Sequence, residues 1–330
     1  MNVTVLGGGS WGTTVAALTS EHNATTLWTR SEGSADEIDA RHTNERYLPG
    51  FSLPERLRAT SDLEKAVVNA DVLIVGVPSK GFRSTLSEAK EWVRPWIPVV
   101  SLTKGIEPDS LLRMTQIIDE ILPGHPAAAL SGPNVAREIM AGQAAASVIA
   151  TEDLGVATAL QKVLQRALFR VYMNHDVIGC EIGGALKNVI AIASGIAQGL
   201  DVGDNTRAAV ITRGLAELTR LGVAMGAEAQ TLAGLAGMGD LMATCISPHS
   251  RNRTVGQKLG EGHTLDEILN DMHMVAEGVG TAGVTMELAE RYDVELPICE
   301  EIYKVVRGEE KPIDAYRGLA SHPGHESEPG

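Results

Sequence analysis

Two hydrophobic rhythms divide the chain. Through the first half, short runs of β-branched and aliphatic residues recur at 3–6, 25–28, 72–75, 99–102, 127–130, 146–149 and 169–172. Stretches of helical periodicity such as 111–121 and 156–164 separate them. Near-continuous apolar runs alternating with helices predict parallel strands covered on both faces, in βαβ order. Beyond Asp176 the rhythm changes. No strand-like run follows, and 182–200 reads as a long helix rich in Ala, Ile and Gly. A second helix is expected to start at Asn205 or Thr206, either of which suits an N-cap, with Ile211, Leu215 and Leu218 on one face. Further helices fit 265–270, 281–290 and 298–306, and the polar segment 321–330 is expected to be disordered. The pattern predicts an α/β fold: an N-terminal Rossmann-type parallel-sheet domain over 1–176, an all-α C-terminal domain over 177–320, and a tail.

Composition agrees with a chain of two domains. At 330 residues it is too long for one ordinary core, and 44% hydrophobic residues can build packed interiors. The net charge of −14 disfavours nucleic acid and anionic lipid as partners, so a phosphorylated ligand would need a local basic pocket. The apolar stretch 189–200 is too short to span a bilayer, so no membrane insertion is expected. Strand-like sequence begins at Asn2 with no basic leader, and Cys180, Cys245 and Cys299 are scattered. Both features fit a cytoplasmic protein without disulfides. No Cys or His spacing suggests a metal site.

Gly7-Gly8-Gly9-Ser10-Trp11-Gly12 forms G-x-G-x-x-G between the first strand and a helix. Gly7 permits the tight turn, Gly9 lets backbone amides approach a pyrophosphate, and Gly12 lets helix and strand pack closely. The following helix start, at Ser10 and Trp11, offers N–H groups and a positive dipole end. The second strand ends in Thr29-Arg30-Ser31, with no carboxylate at the position that commonly holds an NAD ribose. Arg30 can pair with a 2′-phosphate or stack on adenine, or be simply a surface arginine. NADPH is therefore expected to be accepted alongside NADH.

Reducing a carbonyl by hydride also needs a proton donor for the developing alkoxide. Lys187 lies in a helix otherwise rich in Ala, Gly and Ile, where an ammonium is costly without a task or partner. Asp240, in Gly237-Met238-Gly239-Asp240, can hold that lysine, accept from a substrate hydroxyl, or cap the helix from Leu241. Ser250-Arg251-Asn252-Arg253 follows Pro248 and opens a helical stretch, which suits a phosphate cradle. Lys104 stands just past the 99–102 strand, at the sheet edge where such folds bind ligands.

These residues belong to an ordered series: Asn44 to Gly50, Val77-Pro78-Ser79, Thr103 to Glu107, Ser131-Gly132-Pro133, Gly184 to Asn188, Gly203 to Arg207, Gly237 to Leu241, Ser250 to Asn252 and Val275 to Gly278. The series resembles the NAD(P)-dependent glycerol-3-phosphate dehydrogenase family of bacterial type, nearly end to end. The resemblance implies reversible reduction of dihydroxyacetone phosphate to sn-glycerol 3-phosphate, supplying phospholipid synthesis. It assigns proton transfer to Lys187 and substrate contacts to Lys104, Gly132, Asp240, Ser250, Arg251 and Asn252. It assigns cofactor contacts to Lys104, Ala136, Arg251, Val275 and Glu277. Asn134-Val135 departs from the family's small hydroxyl residue followed by an aromatic, and Asn134 is kept as a substrate contact. The competing readings are a hydroxyacid or 6-phosphogluconate type of dehydrogenase, which should lack Ser250-Arg251-Asn252, and a dinucleotide-sensing regulator with no need of Lys187. A homodimer is the general expectation for such an enzyme.

Overall fold

The protein is described by a computed structural model covering residues 1–272 and 276–321. The expected disordered tail, apart from Ser321, lies outside the described residues, as does Val275. Two compact units emerge. One comprises Met1–Glu107 and Leu112–Glu181; the other comprises Pro108–Leu111 and the chain from Ile182 onward.

The first unit is built on eight strands: β1 (Asn2–Leu6), β2 (Ala24–Trp28), β3 (Arg58–Thr60), β4 (Val72–Val75), β5 (Val99–Ser101), β6 (Ala127–Ser131), β7 (Ala145–Ala150) and β8 (Phe169–Asn174). Their order is β3-β2-β1-β4-β5-β6-β7-β8, and every neighbouring pair is parallel except β6 with β7. β1 sits between β2 and β4, so the sheet changes its direction of growth there, and the carboxyl edge at that switch is where such folds bind ligands. The expected strands are all present, with ends shifted by a residue or two. β3 was not expected, because Arg58-Ala59-Thr60 carries no apolar run.

Seven helices flank the sheet: α1 (Ser10–Ser20), α2 (Glu32–Asp36), α3 (Leu63–Val67), α4 (Ser79–Ala89), α5 (Met114–Ile121), α6 (Ala136–Met140) and α7 (Leu154–Leu164). Alternation along the strands explains the two layers. Val72 and Ile74 of β4 join Val15 of α1, Ile139 of α6 and Leu160 of α7 in one core. Leu73 and Val75 join Val67 of α3, Phe82 of α4 and Ile117 of α5 in the other. Each fully buried aliphatic side chain contributes about 1.5–3 kcal/mol. α5 starts later than its periodicity suggested. Leu111 has φ +58°, and Arg113 N donates to Gln116 Oε1 at 3.0 Å ahead of Met114.

The second unit is helical: α8 (Val177–Gly199), α9 (Asp204–Ala224), α10 (Ala229–Ala233), α11 (Asp240–Ile246), α12 (Arg251–Gly260), α13 (Leu265–Asp271), α14 (Glu277–Tyr292), α15 (Pro297–Val306) and α16 (Pro312–Ser321). α8 begins earlier than expected, in the first unit, because the Asp176 carboxylate accepts from Gly179 N at 2.8 Å and caps it. Its most apolar window is 94% buried within the protein, so its hydrophobicity belongs to a core. α9 starts behind Gly203 rather than at Asn205 or Thr206; both residues lie inside the first turn.

Two pairs of glycines bring α8 and α12 backbone to backbone. A Cβ on Gly195 would lie 2.1 Å from Arg253 O, and one on Gly256 would lie 2.0 Å from Ile192 O. Gly199 and Gly260 repeat the contact one turn on. On the other side of the unit, Glu217 of α9 caps α15, accepting from Ile298 N at 2.7 Å and Cys299 N at 3.1 Å.

Candidate active site

The first cluster surrounds the β1–α1 turn. Gly7 adopts φ +119°, and a side chain there would strike Gly76 O at 2.7 Å. A Cβ on Gly12 would lie 2.0 Å from Gly7 O, so helix and strand could not close on anything larger than glycine. A Cβ on Gly9 would meet nothing within 4 Å. Gly9 is the N-cap of α1, which has neither a capping side chain nor an acid in its first turn. A helix start of this kind can present main-chain N–H groups to an anion, and the space beside Gly9 admits one. The Trp11 ring packs on Phe169 with centroids 6.1 Å apart, and its buried Nε1 has no acceptor among the described residues. Ser10 Oγ donates to Tyr47 O at 2.8 Å, tying the turn to a neighbouring loop. These features fit the pyrophosphate of a dinucleotide.

Past β2, Thr29 is buried and donates to Ser31 O at 2.7 Å, while Arg30 is exposed. No ion pair or hydrogen bond engages the Arg30 guanidinium among the described residues, and its Nη2 lies 3.8 Å from where a Cβ on Gly81 would be. It is available to a phosphate at the strand tip.

The same unit gathers Lys104, Gly132, Asn134 and Ala136 at the ends of β5 and β6. Lys104 Nζ donates to Gly132 O at 2.7 Å. Gly132 has φ +124° with a Cβ position 3.2 Å from Ser147 Cα, so a side chain there would be strained. Asn134 Nδ2 donates to Ser147 Oγ at 3.2 Å, and Ser147 Oγ donates to Ser131 O at 2.8 Å. The buried Asn134 Oδ1 and Ser131 Oγ have no protein partner among the described residues, so polar capacity remains here for a ligand or water. Ala136 opens α6 behind Val135, whose extended backbone forms the N-cap. Ser131 stood in the sequence only as part of the Ser131-Gly132-Pro133 motif, and Ser147 went unnoticed, since it stands in no chemical pattern of its own.

The second cluster belongs to the helical unit. Lys187 of α8 and Asp240 of α11 are both buried and paired, Lys187 Nζ donating to Asp240 Oδ1. Lys187 Nζ also donates to Thr244 Oγ1 at 2.8 Å, and that hydroxyl donates to Asp240 O at 2.6 Å. Asp240 is the first residue of α11, with Gly239 at the N-cap position. Its carboxylate pairs with the lysine. Thr244 follows Asp240 at helical i+4 spacing, a signal that was available once α11 was recognised.

At the start of α12, Ser250 is the N-cap and its Oγ accepts from Arg253 N at 3.3 Å. Arg251 is exposed, yet the protein around it pulls its guanidinium below its ordinary value, opposed by the Glu277 carboxylate. Asn252 turns the other way. Its Nδ2 donates to Asn188 Oδ1 at 2.9 Å, and its Oδ1 accepts from Gly278 N at 3.0 Å. The carboxamide joins Lys187's helix to α12 and α14, so most of its hydrogen-bonding capacity is spent within the protein. Glu277 opens α14 beside that junction.

Family models match this chain twice. The NAD-dependent glycerol-3-phosphate dehydrogenase N-terminus model matches residues 2–157, and the corresponding C-terminus model matches residues 176–317. The chain belongs to the NAD-dependent glycerol-3-phosphate dehydrogenase family. Among its relatives, glycerol-3-phosphate dehydrogenase [NAD(P)+] 2 of Sphingopyxis alaskensis is 54% identical, covering 100% of this chain and 99% of that one. Glycerol-3-phosphate dehydrogenase [NAD(P)+] 1 of Mycobacterium tuberculosis is 52% identical, covering 98% and 96%. The crystal structure of glycerol-3-phosphate dehydrogenase from Coxiella burnetii superposes with a TM-score of 0.93 at 34% identity, covering 97% and 99%. A ketopantoate reductase of Ralstonia eutropha, at 18% identity and TM-score 0.60, shares the fold alone. Membership makes this chain an NAD(P)-dependent oxidoreductase acting on a CH–OH group.

Proposed function

We propose that the chain interconverts dihydroxyacetone phosphate and sn-glycerol 3-phosphate, with Lys187 as proton donor and Arg251 as the arm that meets the phosphate. The observation that carries this reading is the buried Lys187 ammonium held between Asp240 and Thr244. A lysine fixed by two partners in an otherwise apolar helix has a position worth its desolvation cost. NAD(P)H, held at Gly7, Gly9, Ser10, Trp11 and Gly12, supplies the hydride when bound. Lys187 Nζ gives its proton to the ketone oxygen as charge develops there, and takes it back in the reverse direction. Asp240 pairs with the ammonium and aims it, and Thr244 Oγ1 accepts a further N–H from it. Ser250, Arg251 and the N–H groups opening α12 hold the phosphate. Asn252 supports that geometry chiefly by bracing Asn188 and Gly278. To Lys104, Gly132 and Asn134 we assign substrate contacts, and to Lys104, Ala136 and Glu277 cofactor contacts.

Arg30 gives NADPH a partner for its 2′-phosphate, so both NADPH and NADH are used. Three thiols without a disulfide among the described residues suit a reducing cytoplasm, where the product would feed phospholipid synthesis. A homodimer is the assembly we infer, to be measured by light scattering. Steady-state oxidation of NADPH and of NADH with dihydroxyacetone phosphate, ketopantoate and a 2-keto acid tests the reading. Turnover should be confined to dihydroxyacetone phosphate; no turnover of that substrate rejects the proposal.

A further inference from the structure

Arg253 has no part in the reaction just described, and its setting calls for an explanation. A guanidinium withdrawn from water is ordinarily met by a carboxylate, because an unpaired interior charge is costly. Arg253 is buried in the first turn of α12. Its Nε donates to Ser247 O at 3.0 Å, and its Nη1 donates to Gln198 Oε1 and, at 3.1 Å, to Gln257 Oε1. All three acceptors are neutral. Among the described residues no carboxylate pairs with it, whereas Lys187 has Asp240 and Arg113 has Glu181. Dipoles meet its Nε and Nη1 donors without cancelling its charge. The position of these partners is equally telling. Ser247 ends α11 and Ser250 caps α12, so Arg253 grips both ends of the turn that presents Ser250 and Arg251. Gln198 lies in the last turn of α8, the helix that carries Lys187.

We propose that Arg253 is a positioning residue for the substrate phosphate: it fixes the 247–250 turn and keeps a positive charge, uncancelled by the protein, beside the N-terminus of α12. This rests on the proposed function, since it needs a phosphate to act on. A phosphate dianion at Ser250 and Arg251 is attracted by this second charge without touching it, and the ketone end of the substrate is not.

The test compares Arg253→Met and Arg253→Lys with the wild-type enzyme on dihydroxyacetone phosphate and on dihydroxyacetone, which has the same carbonyl and no phosphate. Inorganic phosphate serves as a competitive probe. Wild-type turnover of dihydroxyacetone phosphate is measured first, and its absence removes the proposed function and this inference together. Given that turnover, Arg253→Met should raise KM for dihydroxyacetone phosphate and Ki for inorganic phosphate about tenfold or more. Its kcat/KM on dihydroxyacetone should stay within about threefold of wild type, because that substrate does not use the charge. Arg253→Lys, which keeps the charge and loses the fork, should shift the same two constants by less. If Arg253→Met does not fold, Arg253→Lys is judged by the same selective shift. Equal losses on both substrates, or an unchanged Ki for phosphate, would make Arg253 a packing residue and overturn the inference.

Discussion

Lys187 and Asp240 form a pair whose two members answer differently to substitution. Lys187→Met removes the proton donor and should lower kcat by about two to four orders of magnitude, measured by stopped-assay turnover of dihydroxyacetone phosphate. Asp240→Asn leaves the ammonium buried beside a neutral amide and should cost about 3–5 kcal/mol of stability by urea titration, besides activity. The double variant should recover much of that stability while staying inactive, because no charge is then left unpaired. Arg30→Asp should depress kcat/KM with NADPH far more than with NADH; equal depression would remove its 2′-phosphate role. At this scale the sequence was legible where chemistry demands a residue type, as at Lys187 and Asp240, whose partnership the fold supplies. It was blind to Thr244 and to the partner of Asn188, which depend on which helical turn meets which. It also could not tell that Asn252 bends inward to a neighbouring helix while Arg251 stays exposed.

Helices and strands were legible to the extent that their periodicity was local. β4 could be read directly, since four consecutive apolar residues serve two cores at once. β3 could not, and α9 was placed too late because an extended glycine took the cap in place of a side chain. The α8–α12 crossing is the element-scale feature most exposed to test. Gly256→Ala puts a methyl group into the Ile192 carbonyl and should separate the helices, at a cost of about 1–3 kcal/mol seen in the denaturation midpoint. The Glu217 cap on α15 carries a pH signature. Burial pushes this carboxyl above 4.5, with the Ile298 and Cys299 amides opposing. The folded state therefore holds the proton more tightly than the unfolded chain. Its contribution is fully present below pH 4.5 and fades as the pH climbs through the raised value. Comparing thermal midpoints across that window, Glu217→Gln should gain on wild type as pH rises.

Taken whole, the chain carries a net charge of −14, while α8 and α12 bring Lys187, Arg251 and Arg253 into the helical unit. Its three cysteines are buried, and burial raises all three thiols, Cys245 to about 12 despite the nearby Lys187 and Arg207 charges. A colorimetric disulfide reagent should find no reactive thiol in the native protein and three after denaturation; fast labelling of the native form would contradict this. The same interior has a cost when it opens. α8 is long and apolar enough to satisfy a bilayer, and only its neighbours keep it from water. Once heat strips them away, chains should coalesce through that segment faster than they refold, so recovery on cooling should drop steeply as protein concentration increases.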